Sequence, residues 1–160
     1  SETIKEHGGL ILQFIGDEIE AVFGAPIYEP GHVYSAVQAA LAMRKRLEEI
    51  NKIHSQQGYA ALSHGIGIHT GKVLAANIGS SDRSAYSLIG DTVNLASRIQ
   101  DLNKEFGTDI LVSSKVAKEL EKAFTFQPMP ETKVKGKSEP VQTFSLDSKK
   151  DKKKTMGPGE

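Results

Sequence analysis

Two short apolar runs stand near the start of the sequence, separated by a polar turn. They cover residues 10–15 and 18–23, and both are rich in residue types that favour strands. The Gly16-Asp17 pair between them is a hairpin signal. The pattern predicts a β-hairpin whose first strand places Leu10, Leu12 and Phe14 on one face and Ile11, Gln13 and Ile15 on the other.

Two longer segments have apolar residues at helical spacing. From residue 32 to 54 they recur every three or four positions, and charged side chains occupy the opposite side. The same spacing runs from 92 to 106, with the inward positions Val93, Ala96, Ile99 and Leu102. We therefore predict two amphipathic helices.

Two shorter helices are predicted from end signals. Residues 1–7 are typical of the last turns of a helix, and Gly8-Gly9 of its end. Because a domain seldom opens on the end of a helix, we expect part of the domain to precede Ser1. Ser113 or Ser114 is predicted to cap a helix that ends near Phe124.

The remaining apolar runs predict strands. We expect a hairpin over 63–78 that turns at 69–72, strands at 86–89 and 109–112, and a final hairpin with arms at 133–134 and 141–146. These elements form one predicted domain, residues 1–147. Residues 148–160 are Lys-rich and are predicted to be a disordered tail rather than a lipid or nucleic-acid contact.

Composition excludes several classes of protein. The chain has 160 residues, enough for one domain, and 20 basic residues balance 20 acidic ones, so a strongly basic nucleic-acid-binding domain is excluded. No apolar run approaches the ~20 residues of a membrane-spanning helix, so we expect no membrane contact from this segment. Cysteine is absent, which rules out disulfides and thiolate metal sites.

Asp17 is the first candidate for chemistry. A carboxylate at the tip of a tight hairpin is held rigidly and protrudes from the end of the sheet. That placement suits a hard divalent cation such as Mg²⁺, which takes one or two protein carboxylates together with phosphate oxygens. The alternative interpretation is an ordinary turn aspartate.

The segment Gly90-Asp-Thr-Val-Asn-Leu-Ala-Ser-Arg98 carries the second candidate site. Asn94 and Arg98 are four residues apart on one predicted helix, so both project from the same face. A guanidinium and an amide one turn apart can bind an oxyanion, because one supplies a forked charged donor and the other a neutral donor. The alternative is a solvated polar face.

Other polar residues receive structural interpretations. His64 and His69 have no partner at metal-ligand spacing. Glu18 and Glu20 flank the hairpin turn and are interpreted as strand surface, since Mg²⁺ seldom recruits so many carboxylates.

Three segments together resemble the class III nucleotidyl cyclase catalytic domain. They are FIGDEIEAVFGAP at 14–26, GIHTGKVLAANIGSSDRSAYSLIGDTVNLASR at 67–98, and VKGKSEPVQTFSL at 134–146. The resemblance runs from about residue 5 to 146, in order and with specific spacing. It implies an α+β fold with a ferredoxin-like core, in the cytoplasmic catalytic part of a larger signalling protein with sensor or membrane segments upstream.

The resemblance also implies an activity. A purine triphosphate, ATP or GTP, is converted to the 3′,5′-cyclic monophosphate and pyrophosphate with two Mg²⁺ or Mn²⁺ ions per site. The sites lie at the interface of a head-to-tail homodimer. Asp17 matches the second metal-binding aspartate, Asn94 the asparagine that positions the ribose, Arg98 the arginine that stabilises the transition state, and Lys135 the lysine that binds the triphosphate.

Two residues match the positions that read the base. Gln13, four residues before Asp17, occupies the first position, and Ser87, three residues before Gly90, occupies the second. The resemblance implies that Asp17 comes from one subunit and the other five site residues from its partner. Adenylyl cyclases often carry Lys and guanylyl cyclases Glu at the position of Gln13. An amide can serve either purine edge, and without a carboxylate there we expect ATP to be preferred.

The chain also departs from the family pattern. The opening strand with the first metal aspartate, the phosphate loop and the following helix are absent from it. A catalytically inert cyclase-homology module that dimerises and regulates is therefore the rival hypothesis. A nucleic-acid polymerase palm shares the ferredoxin-like topology, but the sequence has no basic groove signal.

Overall fold

The computed structural model of the chain describes residues 1–79 and 85–149. Its helices are α1 (Glu2–Glu6), α2 (His32–Gln56), α3 (Asp91–Phe106) and α4 (Ser114–Glu119). Its strands are β1 (Leu10–Ile15), β2 (Glu18–Val22), β3 (Ile66–Ile68), β4 (Leu74–Ile78), β5 (Ala85–Ile89), β6 (Ile110–Ser113), β7 (Phe124–Pro128) and β8 (Thr143–Lys149). None of the helices in these described ranges is long and apolar enough to cross a bilayer.

The chain divides into two compact units. The first contains Ser1–His64 and Gly71–Asn94, and the second contains Gly65–Thr70 and the chain from Leu95 onward. Helix α3 begins in the first unit and continues in the second. The mixture of helices and strands agrees with the predicted α+β class.

The first unit begins with the short helix α1 and the predicted hairpin of β1 and β2. The register pairs Leu10 with Val22 and Phe14 with Ile19, with an irregularity between Ile11 and Gln13. Val22 and Ile19 are three residues apart on β2, so their side chains lie on opposite faces of the hairpin. Their partners Leu10 and Phe14 therefore also lie on opposite faces. The prediction that Leu10 and Phe14 share a face is therefore wrong, because one extra residue in β1 reverses the alternation.

Helix α2 is confirmed and runs two residues beyond its predicted end. Its N-terminal half is buried at Val33, Val37, Ala39 and Ala40. Its C-terminal half is more exposed than the periodicity suggests, since Ile53 retains 54% of its accessible surface. The apolar stripe therefore reports the helix correctly but overstates its burial.

The predicted hairpin over residues 63–78 is wrong. Strand β4 pairs antiparallel with β5 in the first unit, whereas β3 pairs parallel with β6 in the second. Both runs are strands, but each takes a partner that lies further along the chain. The apolar pattern reports that a strand forms and does not specify its neighbour.

The second unit is built on a four-stranded sheet in the order β3-β6-β8-β7. Strand β6 is buried along its whole length. Helix α3 contributes Ile99 and Leu102 to a buried cluster with Leu111 of β6. Gly67 permits close approach of strand and helix, because a Cβ there would lie 2.5 Å from the backbone nitrogen of Gln100.

The C-terminal predictions need three corrections. Helix α4 is capped by Ser113 as expected, but it ends at Glu119 and does not reach Phe124. Phe124 instead begins β7, with only 1% of its surface exposed. The expected final hairpin is reduced to a single bridge between Thr132 and Val141, because β8 pairs with β6 and β7 instead. Strand β8 continues to Lys149, so the expected boundary at residue 148 falls inside it, and residues 150–160 lie outside the described part of the chain.

Candidate active site

Asp17 lies at the tip of the β1–β2 hairpin. Ile15 and Glu18 form the last cross-strand pair, which leaves a two-residue loop of Gly16 and Asp17. Gly16 has φ of +62° while Asp17 does not adopt a positive φ, the pattern of a type II′ turn. The turn holds the Asp17 side chain in solvent at the end of the hairpin.

Gln13 lies on the same hairpin and is exposed. Its cross-strand partner is Glu20, and its Nε2 donates to Glu20 Oε2 over 2.9 Å. Glu20, interpreted from the sequence as strand surface, therefore contacts the predicted base-reading side chain. No feature of the sequence other than its place opposite Gln13 in a hairpin could have indicated this contact.

Ser87 and Asn94 lie on either side of the junction between β5 and α3. Ser87 is half-buried and pairs with Ala76 on β4. Gly90 makes the junction with φ of +134°, and the backbone nitrogen of Asn94 donates to its carbonyl over 3.3 Å. The Asn94 side chain is exposed in the first turn of the helix.

Arg98 follows Asn94 by one turn of the same helix, so the two side chains leave it on one face, as predicted. Arg98 Nη1 lies 3.7 Å from Asp101 Oδ2, and the arginine side chain keeps 38% of its accessible surface. An exposed ion pair of this kind contributes little, about 0–1 kcal/mol. Arg98 can therefore exchange Asp101 for an incoming oxyanion at small cost.

Lys135 is exposed in a turn that lies between Thr132 and Val141, which form an isolated β-bridge. The backbone nitrogen of Lys137 donates to the carbonyl of Val134 over 3.2 Å, and Gly136 has φ of +87°, which suits the third position of a type II turn. Val134 packs against the cluster that contains Ile99 of α3. Val134, which precedes Lys135, and Ile99, which follows Arg98, thus belong to one hydrophobic core in the second unit.

The structure groups the predicted residues in three places. Gln13 and Asp17 share the β1–β2 hairpin, Ser87 and Asn94 flank the β5–α3 junction, and Arg98 with Lys135 belong to the second unit. The chemical roles of the six residues are predictions from the sequence.

The donor chemistry fits a divalent cation at Asp17. An exposed carboxylate on a rigid turn is a suitable hard ligand, and the phosphate oxygens of a nucleotide would complete the coordination. Within residues 1–79 and 85–149 there is no group of three or more side chains able to hold a metal by themselves.

Thr92 lies in the segment 90–98, and the sequence alone indicated no role for it. Its Oγ1 donates to the carbonyl of Lys72 over 2.6 Å. A threonine in the first turn of a helix could have suggested a capping bond, but the partner lies twenty residues away and could not be read from the sequence.

The chain matches a known protein family and several of its members along most of its length. The family model of the adenylate and guanylate cyclase catalytic domain matches residues 2–148. "Adenylate cyclase 1" of Rhizobium meliloti is 35% identical over 146 residues, covering 91% of this chain and 22% of the relative. "Adenylate cyclase" of Anabaena cylindrica is 36% identical over 152 residues, covering 91% of this chain and 29% of the relative. The chain thus spans about a quarter of the length of these relatives.

Among solved structures, the guanylyl cyclase Cya2 superimposes with a TM-score of 0.82 and 31% identity. The match covers 94% of this chain and 76% of that structure. The named relatives are thus adenylate cyclases, whereas this similar structure is of a guanylyl cyclase.

Proposed function

The chain belongs to the family of adenylate and guanylate cyclase catalytic domains, and we propose that it converts ATP, in preference to GTP, into the 3′,5′-cyclic monophosphate and pyrophosphate. In this reaction the 3′-oxygen bonds to the α-phosphorus, the bond from that phosphorus to the bridging oxygen of pyrophosphate breaks, and the 3′-hydroxyl proton is lost. The observation that carries the proposal is the pair of Asn94 and Arg98 on one face of α3, within the segment that the family model covers.

Arg98 and Asn94 supply the groups that the transition state needs. Negative charge builds on the α-phosphate as the ring closes, and a preorganised guanidinium is the side chain best suited to stabilise it. Asn94, one turn earlier, can hold the ribose so that its 3′-oxygen stays in line with the leaving group. Positioning of this kind converts a poor encounter into a near-attack geometry.

Asp17 and Lys135 act on the triphosphate. We assign Asp17 to bind a divalent cation, Mg²⁺ or Mn²⁺, together with phosphate oxygens. When bound, with Asp17 among their ligands, two such cations would lower the pKa of the 3′-hydroxyl and neutralise the charge of the leaving pyrophosphate. Lys135, exposed on its turn, can supply a point charge to the terminal phosphates.

The preference for ATP rests on Gln13 and Ser87, neither of which offers a carboxylate to the donors of guanine. A hydrogen bond to a charged group is worth about 1.5–3 kcal/mol, and guanine lacks that partner at position 13. The names of the two adenylate cyclase relatives are consistent with this preference. We further propose that the active form is a homodimer, with Asp17 contributed by one subunit and the remaining site residues by its partner.

The test is product formation by the purified complete protein, because the segment that carries the first metal aspartate in the family pattern is absent from these 160 residues. ATP and GTP are supplied in parallel with Mg²⁺ or Mn²⁺, and cyclic nucleotide and pyrophosphate are quantified. We expect both products in equal amounts and a higher kcat/KM for ATP. A hundredfold preference for GTP would overturn the assignment of the base.

Absence of product with either nucleotide would overturn the catalytic proposal and favour the inert regulatory module. An Arg98→Ala variant attributes any turnover to this site, with Arg46→Ala as the matched control. Arg46 is an exposed arginine on α2, outside the proposed machinery.

A further inference from the structure

We infer that the Thr92 hydroxyl is a positioning group that fixes the start of α3 against the β4–β5 hairpin and thereby sets the place of Asn94 relative to Ser87. The inference rests on the proposed function, because it gives Ser87 and Asn94 their roles. Thr92 itself is not assigned a contact with the nucleotide.

The bond from Thr92 closes the open end of the hairpin. Leu74 and Ile89 form the last cross-strand pair of β4 and β5. Beyond that pair, Lys72 precedes β4 and Thr92 follows β5, and the Thr92 hydroxyl donates to the Lys72 carbonyl over 2.6 Å. This distance is at the short end of ordinary O–H···O bonds, so the contact is well formed.

The junction that the bond spans turns at a glycine. Gly90 adopts φ of +134°, in the region that side chains rarely enter, and a Cβ added there would meet no atom within 4 Å. The backbone bond from Asn94 to Gly90 is 3.3 Å long, slightly longer than the usual range of about 2.7–3.2 Å. The Thr92 bond therefore fixes the angle between strand and helix next to a residue whose backbone can adopt several conformations.

The direction of the bond distinguishes positioning from ordinary capping. A capping side chain accepts from a backbone N–H of its own helix. Thr92 instead donates to a carbonyl outside the helix, so the bond ties α3 to another segment. Because its one proton is committed to Lys72, the hydroxyl acts on the reaction through the placement of Asn94.

The consequence for catalysis is a matter of simultaneous fit. Ser87 and Asn94 lie three residues before and four residues after Gly90. The base of a bound nucleotide contacts Ser87, and its ribose contacts Asn94. Both contacts form together only if β5 and α3 keep a fixed angle at the junction. A misplacement of about 1 Å in such a geometry can cost a hundredfold in rate.

The experiment compares Thr92→Val with Thr92→Ser. Valine keeps the branched shape and nearly the helix propensity of threonine but removes the hydroxyl, whereas serine retains it. We expect Thr92→Val to lower kcat about tenfold or more with KM changed less than threefold, and Thr92→Ser to stay within threefold of the parent. A purely structural role would lower the melting temperature and leave kcat per folded molecule unchanged.

Thr108, two residues beyond the C-terminal end of α3, provides the matched control. Thr108 Oγ1 donates to Asn103 Oδ1 over 2.9 Å, so Thr108→Val removes a comparable bond without touching the first turn. We expect its kcat to stay within twofold of the parent. An equal loss in Thr108→Val, or a serine variant as impaired as the valine variant, would overturn the inference.

Amide hydrogen exchange separates this inference from the proposed function. Thr92→Val should speed exchange at Asn94 and Leu95, whereas Thr92→Ser should not, and this readout needs no turnover. If Asn94→Ala abolishes turnover while Thr92→Val has parental kcat and parental exchange, the positioning role is wrong and the proposed function stands. If the parent protein forms no cyclic nucleotide, the proposed function is wrong, and with it the catalytic meaning of the bond.

Discussion

Gln13 and Glu20 are cross-strand partners on the β1–β2 hairpin, and Gln13 Nε2 lies 2.9 Å from Glu20 Oε2. An ionised carboxylate only accepts hydrogen bonds, so the amide must turn its NH₂ group toward Glu20. The Gln13 carbonyl oxygen then faces away from its partner. A side chain that can serve either purine in isolation is thereby biased to present an acceptor.

This relationship gives the first prediction, which concerns base selectivity. An acceptor facing position 6 of a purine suits the amino group of adenine and opposes the carbonyl oxygen of guanine. Glu20→Ala frees the amide to rotate, so the ratio of kcat/KM for ATP over GTP should fall about fivefold, the equivalent of one net hydrogen bond of about 1 kcal/mol. Parallel kinetics with both nucleotides measure the ratio.

The control for this prediction is Glu48→Ala, which removes an exposed carboxylate from α2. Its ratio should match that of the parent. If Glu20→Ala and Glu48→Ala give the same ratio, Glu20 does not orient the base-reading side chain.

The second prediction concerns the division of the site between two subunits. Asp17→Asn and Arg98→Ala should each lower kcat, the latter by about 10²–10³, as expected for loss of a group that stabilises transition-state charge. Mixed together, the two inactive variants should regain part of the activity, because one site of each heterodimer combines the unmutated Asp17 of one chain with the unmutated Arg98 of the other.

The measurement is specific activity against the mixing ratio, with heterodimers verified by two distinguishable tags. The activity of the parent should also fall on dilution. Heterodimers that form and remain inactive would place all the groups of a site within one chain.

What could be predicted from the sequence is mostly local. The Gly16-Asp17 turn and the amphipathic α3 depend on residues close together in the chain, and both are confirmed. The residues in the motif around Asn94 and Arg98 also carried the family resemblance, which the family model confirms over residues 2–148.

What could not be predicted depends on partners distant in sequence. Strand β3 pairs with β6 rather than with β4, the next strand in sequence. Both β3 and β6 pack against α3, a contact that the apolar run itself does not encode. The irregularity between Ile11 and Gln13 adds a single residue to β1 and leaves no apolar signature. The Thr92–Lys72 bond likewise joins two segments that only the fold brings together.

The third prediction concerns the cap of α4. Ser113 is 4% exposed; its Oγ accepts from the backbone nitrogen of Val116 over 3.4 Å and lies 2.8 Å from His69 Nδ1. Ser113→Ala removes both contacts and should lower the free energy of unfolding by about 1–3 kcal/mol. Urea denaturation measures the loss, with the exposed neighbour variant Ser114→Ala expected to change it by less than 0.5 kcal/mol or so. Equal stability of the two variants would show that the Ser113 hydroxyl does not stabilise the cap.

The last prediction concerns Gly67, where β3 and α3 meet. A Cβ at this position would lie 2.5 Å from the backbone nitrogen of Gln100 and 2.6 Å from the carbonyl oxygen of Ala96. Both atoms belong to helix backbone, so neither can move aside without displacing the helix. Gly67→Ala should therefore lower the free energy of unfolding by about 1–3 kcal/mol or more, the usual cost of overpacking. It should also lower kcat, because Arg98 lies between the two displaced residues on α3.

The matched control is Gly31→Ala, since a Cβ at Gly31 meets no atom within 4 Å and its φ is −90°. Urea denaturation and initial rates of cyclic nucleotide formation are measured for both variants. A Gly67→Ala protein as stable and as active as Gly31→Ala would mean that the strand and the helix are not in the close contact described.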